Sequence, residues 1–278
     1  MAASQGELKM ASANHNEQGT YLYCIINSGE ETNFGHMGIE DNFVYIVPFN
    51  DIGAVIHHCE AKPYKTEDKE KAAEWILTHQ YVIDLATKEF GTVIPLTFDT
   101  IFKGGDKTVK QWLLEEHSEL KALFEKFEGK AEYAVQIFVE NGFVEKGTEE
   151  NGEIRRLKKE IQSKPEGTAY LLQKKFERKL EVERKALADE YGRNLYSQIR
   201  KLVDSLKIDS AERKMPQDWK GKQMILNLAC LVRKDNIRNL GNMLGKVNKR
   251  DGFSVRFTGP WPPYSFAGKI GVVREDRR

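Results

Sequence analysis

No stretch of this 278-residue sequence approaches the roughly 18 uninterrupted apolar residues that a membrane-spanning helix needs, so no transmembrane segment is expected. Cysteine is scarce. Cys24, Cys59 and Cys230 form no CxxC pair and each sits in an apolar run, which reads as three small buried hydrophobes rather than metal ligands. An odd cysteine count, with a polar stretch and no apolar leader over residues 1–19, points to a floppy tail and a reducing, cytoplasmic setting. A surplus of one charge is also missing, since 43 Lys and Arg face 42 Asp and Glu. Proteins that grip duplex nucleic acid carry a basic excess, so nucleic acid is not an expected partner. The strings GxGxxG, GxxxxGK[ST], HExxH, GxSxG and DxDxDG are absent, leaving no nucleotide cradle, zinc-protease helix, nucleophile elbow or calcium loop. The expectation is no catalytic residues, no metal and no cofactor.

What is present is enough to build cores: 40% hydrophobic and 10% aromatic residues, a content suited to one large domain or two ordinary ones. Residues 20–27 form an apolar, β-branched and aromatic run, a buried strand. Residues 43–48 and 53–58 read as a hairpin around Pro48-Phe49-Asn50-Asp51. The period then lengthens. Ala72, Ile76, His79, Ile83, Ala86 and Phe90 recur at steps of four and three, widened by Trp75 and Val82, and Gly91 ends that helix. A second helix is expected over about 108–127 on Leu113, Leu120, Phe124 and Phe127. The second half reads as a strand at 131–140, then a charged helical region broken near Ser163–Gly167. From about Ala169 that region runs on to Leu206, on a stripe from Leu172 to Leu206. Strands at 207–213 and 224–232, a helix at 235–247 and a strand at 253–257 follow. That β-α-β-β-α-β order is ferredoxin-like. The fold class is therefore α+β, two domains of ferredoxin-like character with small, mainly antiparallel sheets covered by helices. The expected divisions are a tail (1–19), an N-terminal domain (20–128), a C-terminal domain (129–259) and a Pro/aromatic segment with its tail (260–278).

Candidate sites each have a plain alternative. His57-His58-Cys59 resembles a metal cluster, but residues of a strand alternate faces and no further ligand pair is spaced to complete a tetrahedron. Solvated strand-end histidines are the expectation there. His79 and His117 both fall on the inner stripes of adjacent helices and are read as structural, with a meeting between them left open. The charged helix carries Arg155, Arg156, Lys158, Lys159, Lys174, Lys175, Arg178, Lys179, Arg184 and Lys185. Interleaved glutamates make it a solvated face or a docking ridge.

The segment Thr258–Phe266 is the most informative. Three prolines remove three donors and argue against a helix or a central strand. Trp261, Pro262, Pro263, Tyr264 and Phe266 then form either an intramolecular clamp over a domain edge or interdomain seam, or a rigid hot spot for another protein. The string VRFTGPWPPYSFAG that contains them resembles the C-terminal signature of the gas vesicle protein F/L family. His79 with Val82 and Ile83, followed by FGTVIPLTFDTIF (Phe90–Phe102), is similar to that family's His-containing helix and its turn, in which Pro95, Phe98 and Phe102 fall in place. The match departs at Thr97, where the family pattern has Arg, and at Asp99, where it has Gly. LYCII (Leu22–Ile26) and LNLACLV (Leu226–Val232) occur in the family's order, so the resemblance spans about residues 20 to 268. It implies two ferredoxin-like α+β domains and a non-enzymatic, cytoplasmic accessory protein of gas vesicle assembly. Its implied partners are the small hydrophobic shell protein or other accessory proteins. A small-molecule-binding regulatory module with an interdomain pocket is the alternative.

Overall fold

The computed structural model describes residues 18–149, 151–209 and 221–268. Apart from Gln18 and Gly19, which open the first strand, the stretch expected as an N-terminal tail lies outside those residues, as do 269–278. The described chain falls into two compact units, one ending at Lys126 and the other running from Phe127 to Gly268.

The first unit is built on β1 (Gln18–Ile26), whose residues from Gly19 onward are all buried. The other strands are β2 (Asn33–His36), β3 (Phe43–Phe49), β4 (Ile52–Glu60), β5 (Val93–Pro95) and β6 (Ile101–Lys103), and every pairing among them is antiparallel. The order is β2-β3-β4-β1-β5, with β6 also on β1. The β3–β4 hairpin closes through Asn50, whose φ of 52° lies in the left-handed region that Asn tolerates. α1 (Lys69–Phe90) starts where the Asp68 carboxylate accepts from the Glu70 and Lys71 amides. It ends where Gly91, at φ 78°, donates to the Thr87 carbonyl. Its buried face is Trp75, His79, Val82, Ile83 and Ala86. Ile76, expected inside, is exposed, because that face is centred one step further round the helix. α2 (Asp106–Phe127) buries Leu113, Leu120, Phe124 and Phe127 as its spacing predicts.

The second unit contains β7 (Lys130–Glu140), three helices α3 (Asn141–Glu149), α4 (Gly152–Gln162) and α5 (Glu166–Arg200), then β8 (Ser205–Ile208), β9 (Lys222–Arg233), α6 (Ile237–Asn248) and β10 (Phe253–Trp261). The order β10-β7-β9-β8, antiparallel throughout, is the ferredoxin-like 4-1-3-2 arrangement. The first unit has the same order in β3, β4, β1 and the β5/β6 pair. There β2 and a short 3₁₀ turn (Ile39–Asp41) occupy the place of the first crossover helix. α5 ends at Arg200, short of the expected Leu206, and β8 starts earlier than the strand expected at 207–213. Most of that expected stretch lies outside the described residues. Tyr133, Val135, Ile137 and Val139 of β7 and Leu228, Cys230 and Val232 of β9 join Leu195, Ile199, Leu240 and Leu244 in one core on the helical face. Alternation puts Glu132, Gln136 and Phe138 on the opposite face.

The C-terminal segment departs from the sequence expectation in two ways. β10 continues through Gly259 and Pro260 to Trp261, with a register shift between Thr258 and Trp261. Proline is tolerated there because β10 is an edge strand, which leaves outward donors unused. A helical turn, α7 (Tyr264–Ala267), then forms directly after Pro263, where a missing backbone N–H costs no intrahelical bond.

Candidate functional site

Two sites collect the residues singled out by sequence. The first surrounds Tyr21 on β1. His79 on α1 reaches its ring from one side, with Nδ1 2.9 Å from the Tyr21 hydroxyl, while His79 Nε2 lies 3.2 Å from the Leu96 carbonyl. A carbonyl only accepts, so Nε2 carries the proton and Nδ1 takes one from Tyr21. The Tyr21 oxygen in turn accepts from the Asp99 amide at 3.1 Å, and the Asp99 carboxylate accepts from the Tyr64 amide at 2.9 Å. Asp99 sits at φ 70°, a left-handed conformation that Asp tolerates and Gly adopts most cheaply. Phe98 closes the cluster edge-on to Tyr21 and His79, at ring distances of 6.3 and 5.8 Å. Pro95 is buried in β5 opposite Cys24, and Phe102 is buried against Trp112. The four motif residues thus meet around one strand.

His57 is the residue that sequence reasoning misplaces. It is fully buried, not a solvated strand-end side chain, and stacks on Tyr21 at 4.9 Å because the two are paired across β4 and β1. Its Nδ1 lies 2.8 Å from the Tyr23 hydroxyl, whose oxygen accepts from the Ile39 amide. Nε2 then faces the Tyr64 hydroxyl at 3.1 Å. His58, on the other face, is the exposed one and meets Tyr45 at 2.6 Å. Burial drives both imidazoles down to about 4, the neighbouring His58 adding to the effect at His57, and it raises the Tyr21 and Tyr23 hydroxyls. His79 and His117 do not meet; His117 pairs with Asp51 at 2.8 Å. Among the described residues no three His, Cys, Asp or Glu side chains are grouped to hold a metal ion.

This network is a buried set of imidazoles and Tyr hydroxyls bounded by the Asp99 carboxylate, in which almost every donor has an acceptor, and its chemistry is positional. Replacing Tyr21 with Phe leaves the His79 Nδ1 and the Asp99 amide without their shared partner. Urea denaturation is expected to show a loss of about 2 kcal/mol, the cost of stranding buried polar groups. Beside the network, a pocket of about 580 Å³ opens between Glu40, Asn42, Lys62, Tyr64, Lys71 and Trp75. Two of the three lysines lining it are already paired: Lys71 with Glu40 at 3.3 Å, and Lys62 with Glu60.

The second site is the C-terminal segment. From Trp261, which pairs with Glu132, the chain turns across the open face of its own unit's sheet. The Ser265 amide and hydroxyl donate to the two Glu132 carboxylate oxygens at 2.8 and 2.6 Å, and Lys207 on the far edge strand donates to the Ser265 carbonyl at 2.7 Å. The strap therefore spans the width of the sheet. Burial raises the Glu132 carboxyl above its ordinary range, against the pull of the Ser265 bonds and Lys207. Pro262, Pro263 and Phe266 face inward, and Lys207 stands over the Phe266 ring. Trp261 does not follow them, since 44% of its surface is exposed.

The profile of the family described as gas vesicle synthesis protein GvpL/GvpF matches residues 19–268. Gas vesicle protein L of Haloferax mediterranei is 33% identical over 97% of this chain and 96% of its own length. Gas vesicle protein L1 of Halobacterium salinarum is 33% identical over 91% and 92%. The crystal structure of GvpF from Anabaena superposes with a TM-score of 0.68 at 19% identity, covering 90% of this chain and 98% of that one. GvpF from Microcystis aeruginosa gives 0.63 at 16% identity with the same coverage, and both share the fold of two antiparallel sheets with helices. With the profile spanning both units and the C-terminal strap, the chain belongs to the GvpL/GvpF family of gas vesicle proteins.

Proposed function

We propose that this chain is a non-enzymatic accessory protein of gas vesicle assembly, acting in the cytoplasm at the growing vesicle. It would hold the small hydrophobic shell protein, or another accessory protein, through the C-terminal strap. The observation that carries this reading is the division of the aromatic segment. Pro262, Pro263 and Phe266 are inside, anchoring the strap, while the Trp261 ring is left outside on a rigid backbone. A fixed, exposed Trp loses little entropy on binding and is the residue type that concentrates interface energy. Pro260 and the register shift blunt this end of the edge strand, so ring contact with an apolar segment fits better than an added strand. Among the described residues no helix is long and apolar enough to cross a membrane.

Co-purification with the shell protein tests this directly. Trp261→Ala is expected to melt somewhat below the parent, because more than half of the side chain's surface is covered, yet to stay folded at the assay temperature and lose roughly thirtyfold in capture, the scale of a hot-spot loss of about 2 kcal/mol. Tyr264→Ala, half-buried, should lose both some stability and some capture. Undiminished capture by a folded Trp261→Ala protein would remove the strap as the contact. Absence of capture by the parent would turn the test to the other accessory proteins.

A further inference from the structure

The near-zero net charge conceals a polar molecule. Residues 18–126 hold 18 Asp and Glu against 10 Lys and Arg, whereas residues 127–268 hold 20 against 28. The first unit is thus strongly acidic and the second strongly basic. On each, one long helix carries a solvent-facing stripe of like charge that also exposes large apolar groups, with Lys69 and Lys71 exposed beside the acidic stripe of α1. Along α1, Glu70, Glu74, Leu77, Tyr81 and Asp84 follow at steps of four and three and are all exposed, with Lys88 at the end. Leu77 is 69% exposed. Along α5, Leu171, Lys175, Arg178, Val182 and Lys185 follow at the same steps and are likewise all exposed. Glu177 and Glu181 flank this stripe, and Glu177 is engaged by Lys174 at 3.4 Å. Leu171 is 69% exposed and Val182 66%.

Each stripe combines two apolar anchors with three like charges, and the signs are opposite. Within its own unit each stripe is uncovered, and what sets the two apart from scattered surface apolar residues is their matching spacing with opposite charge. We propose that the occupant of each stripe is the other stripe on a second copy of this chain, so that the protein self-associates head to tail. The complementarity lies between two different surfaces, so the contact is heterologous. Such a contact adds copies beyond a dimer unless the rotation closes a ring. This inference is independent of the strap's role, which involves neither stripe.

Sedimentation velocity of the full chain across a concentration series tests it. At about 0.05 M salt, where surface charges reach beyond 10 Å, the weight-average mass should climb with concentration, and about 0.5 M salt should weaken association more than tenfold. Lys175→Glu with Arg178→Glu makes both stripes acidic; Glu70→Lys with Glu74→Lys makes both basic. These are exposed helix positions, so each variant should melt close to the parent and sediment as a monomer alone. Mixing the two variants should restore association. A parent that stays monomeric at low salt overturns the proposal. So does association that persists in the reversed variants, or folded variants that fail to associate when mixed.

Discussion

Between pH 7 and about pH 4 the first unit is expected to lose roughly 5 kcal/mol of stability through two buried histidines. The unfolded chain protonates His57 and His79 near 6.5, while the folded protein holds both to about 4. Between those values the unfolded state binds more protons, so stability is full above about 6.5, falls as the pH is lowered, and levels off below about 4. Each imidazole contributes up to about 3 kcal/mol, since every pH unit separating the folded and unfolded values is worth about 1.36 kcal/mol. The geometry explains why neither ring can accept the charge cheaply. His79 already receives the Tyr21 proton at Nδ1, and His57 is held between two Tyr hydroxyls with no carboxylate beside it among the described residues, so a second ring proton would have no anionic partner inside a closed aromatic cluster. Hydrogen exchange on β1 and β7, corrected for intrinsic rates, separates this loss from general acid effects. Protection on β1 should collapse first. His57→Gln with His79→Gln should be weaker at neutral pH and nearly insensitive over the same window. An unchanged pH slope in that double variant would assign the acid loss to carboxylates instead.

This network also shows where sequence reasoning stops. The strands and helices with six or more periodic residues, such as β1, the β3–β4 hairpin, α1, α2, β7 and α6, are legible because burial on one face imposes a period. β2, β5 and β6 are three or four residues long and carry no period, so the first sheet is larger than the sequence suggests. His79 is readable as an inward group from its stripe. His57 is not, because its burial depends on Tyr21 and Tyr23 across the sheet and on Tyr64 from a loop. The local signal that could place it is Val55, two residues earlier on the same face of β4 and also buried. The strap is legible as a stiff aromatic segment, whereas its direction is not. Ser265 finds Glu132 at a separation of 133 residues, and no local pattern announces that pairing. The helical turn at Tyr264 escapes a reading that weighs prolines as helix breakers without regard to side: Pro263 precedes the turn and only limits what comes before it.

Replacing Gly259 with Ala is expected to cost more than about 4 kcal/mol, and the reason joins the backbone to the proposed binding surface. Gly259 lies at φ 134°, a region that side chains of L-residues rarely enter, and the added strain is about 1–3 kcal/mol. An added Cβ would also stand 2.7 Å from a Tyr133 ring carbon and 2.8 Å from the Glu132 carbonyl oxygen. Neither neighbour can yield. The Tyr133 ring is buried and stacked on Phe257 at 5.1 Å, and Glu132 belongs to a central strand. The end of β10 must therefore move, and with it the Trp261–Glu132 pairing and the two Ser265 bonds to a carboxylate that burial already penalises. Gly268→Ala is the matched control: at φ 81° and ψ −163° it too lies where only Gly enters readily, but nothing lies within 4 Å, so the backbone strain alone, about 1–3 kcal/mol, is expected. Thermal melting of the two variants should differ by about 5 °C or more, given a few degrees per kcal/mol for a unit of this size. Near-equal melting temperatures would mean that the strap is seated by something other than Gly259. If Gly259→Ala melts early and also loses shell-protein capture while Trp261→Ala stays folded and loses capture, the strap has two separable roles: its inner face holds the sheet, and its outer ring holds the partner.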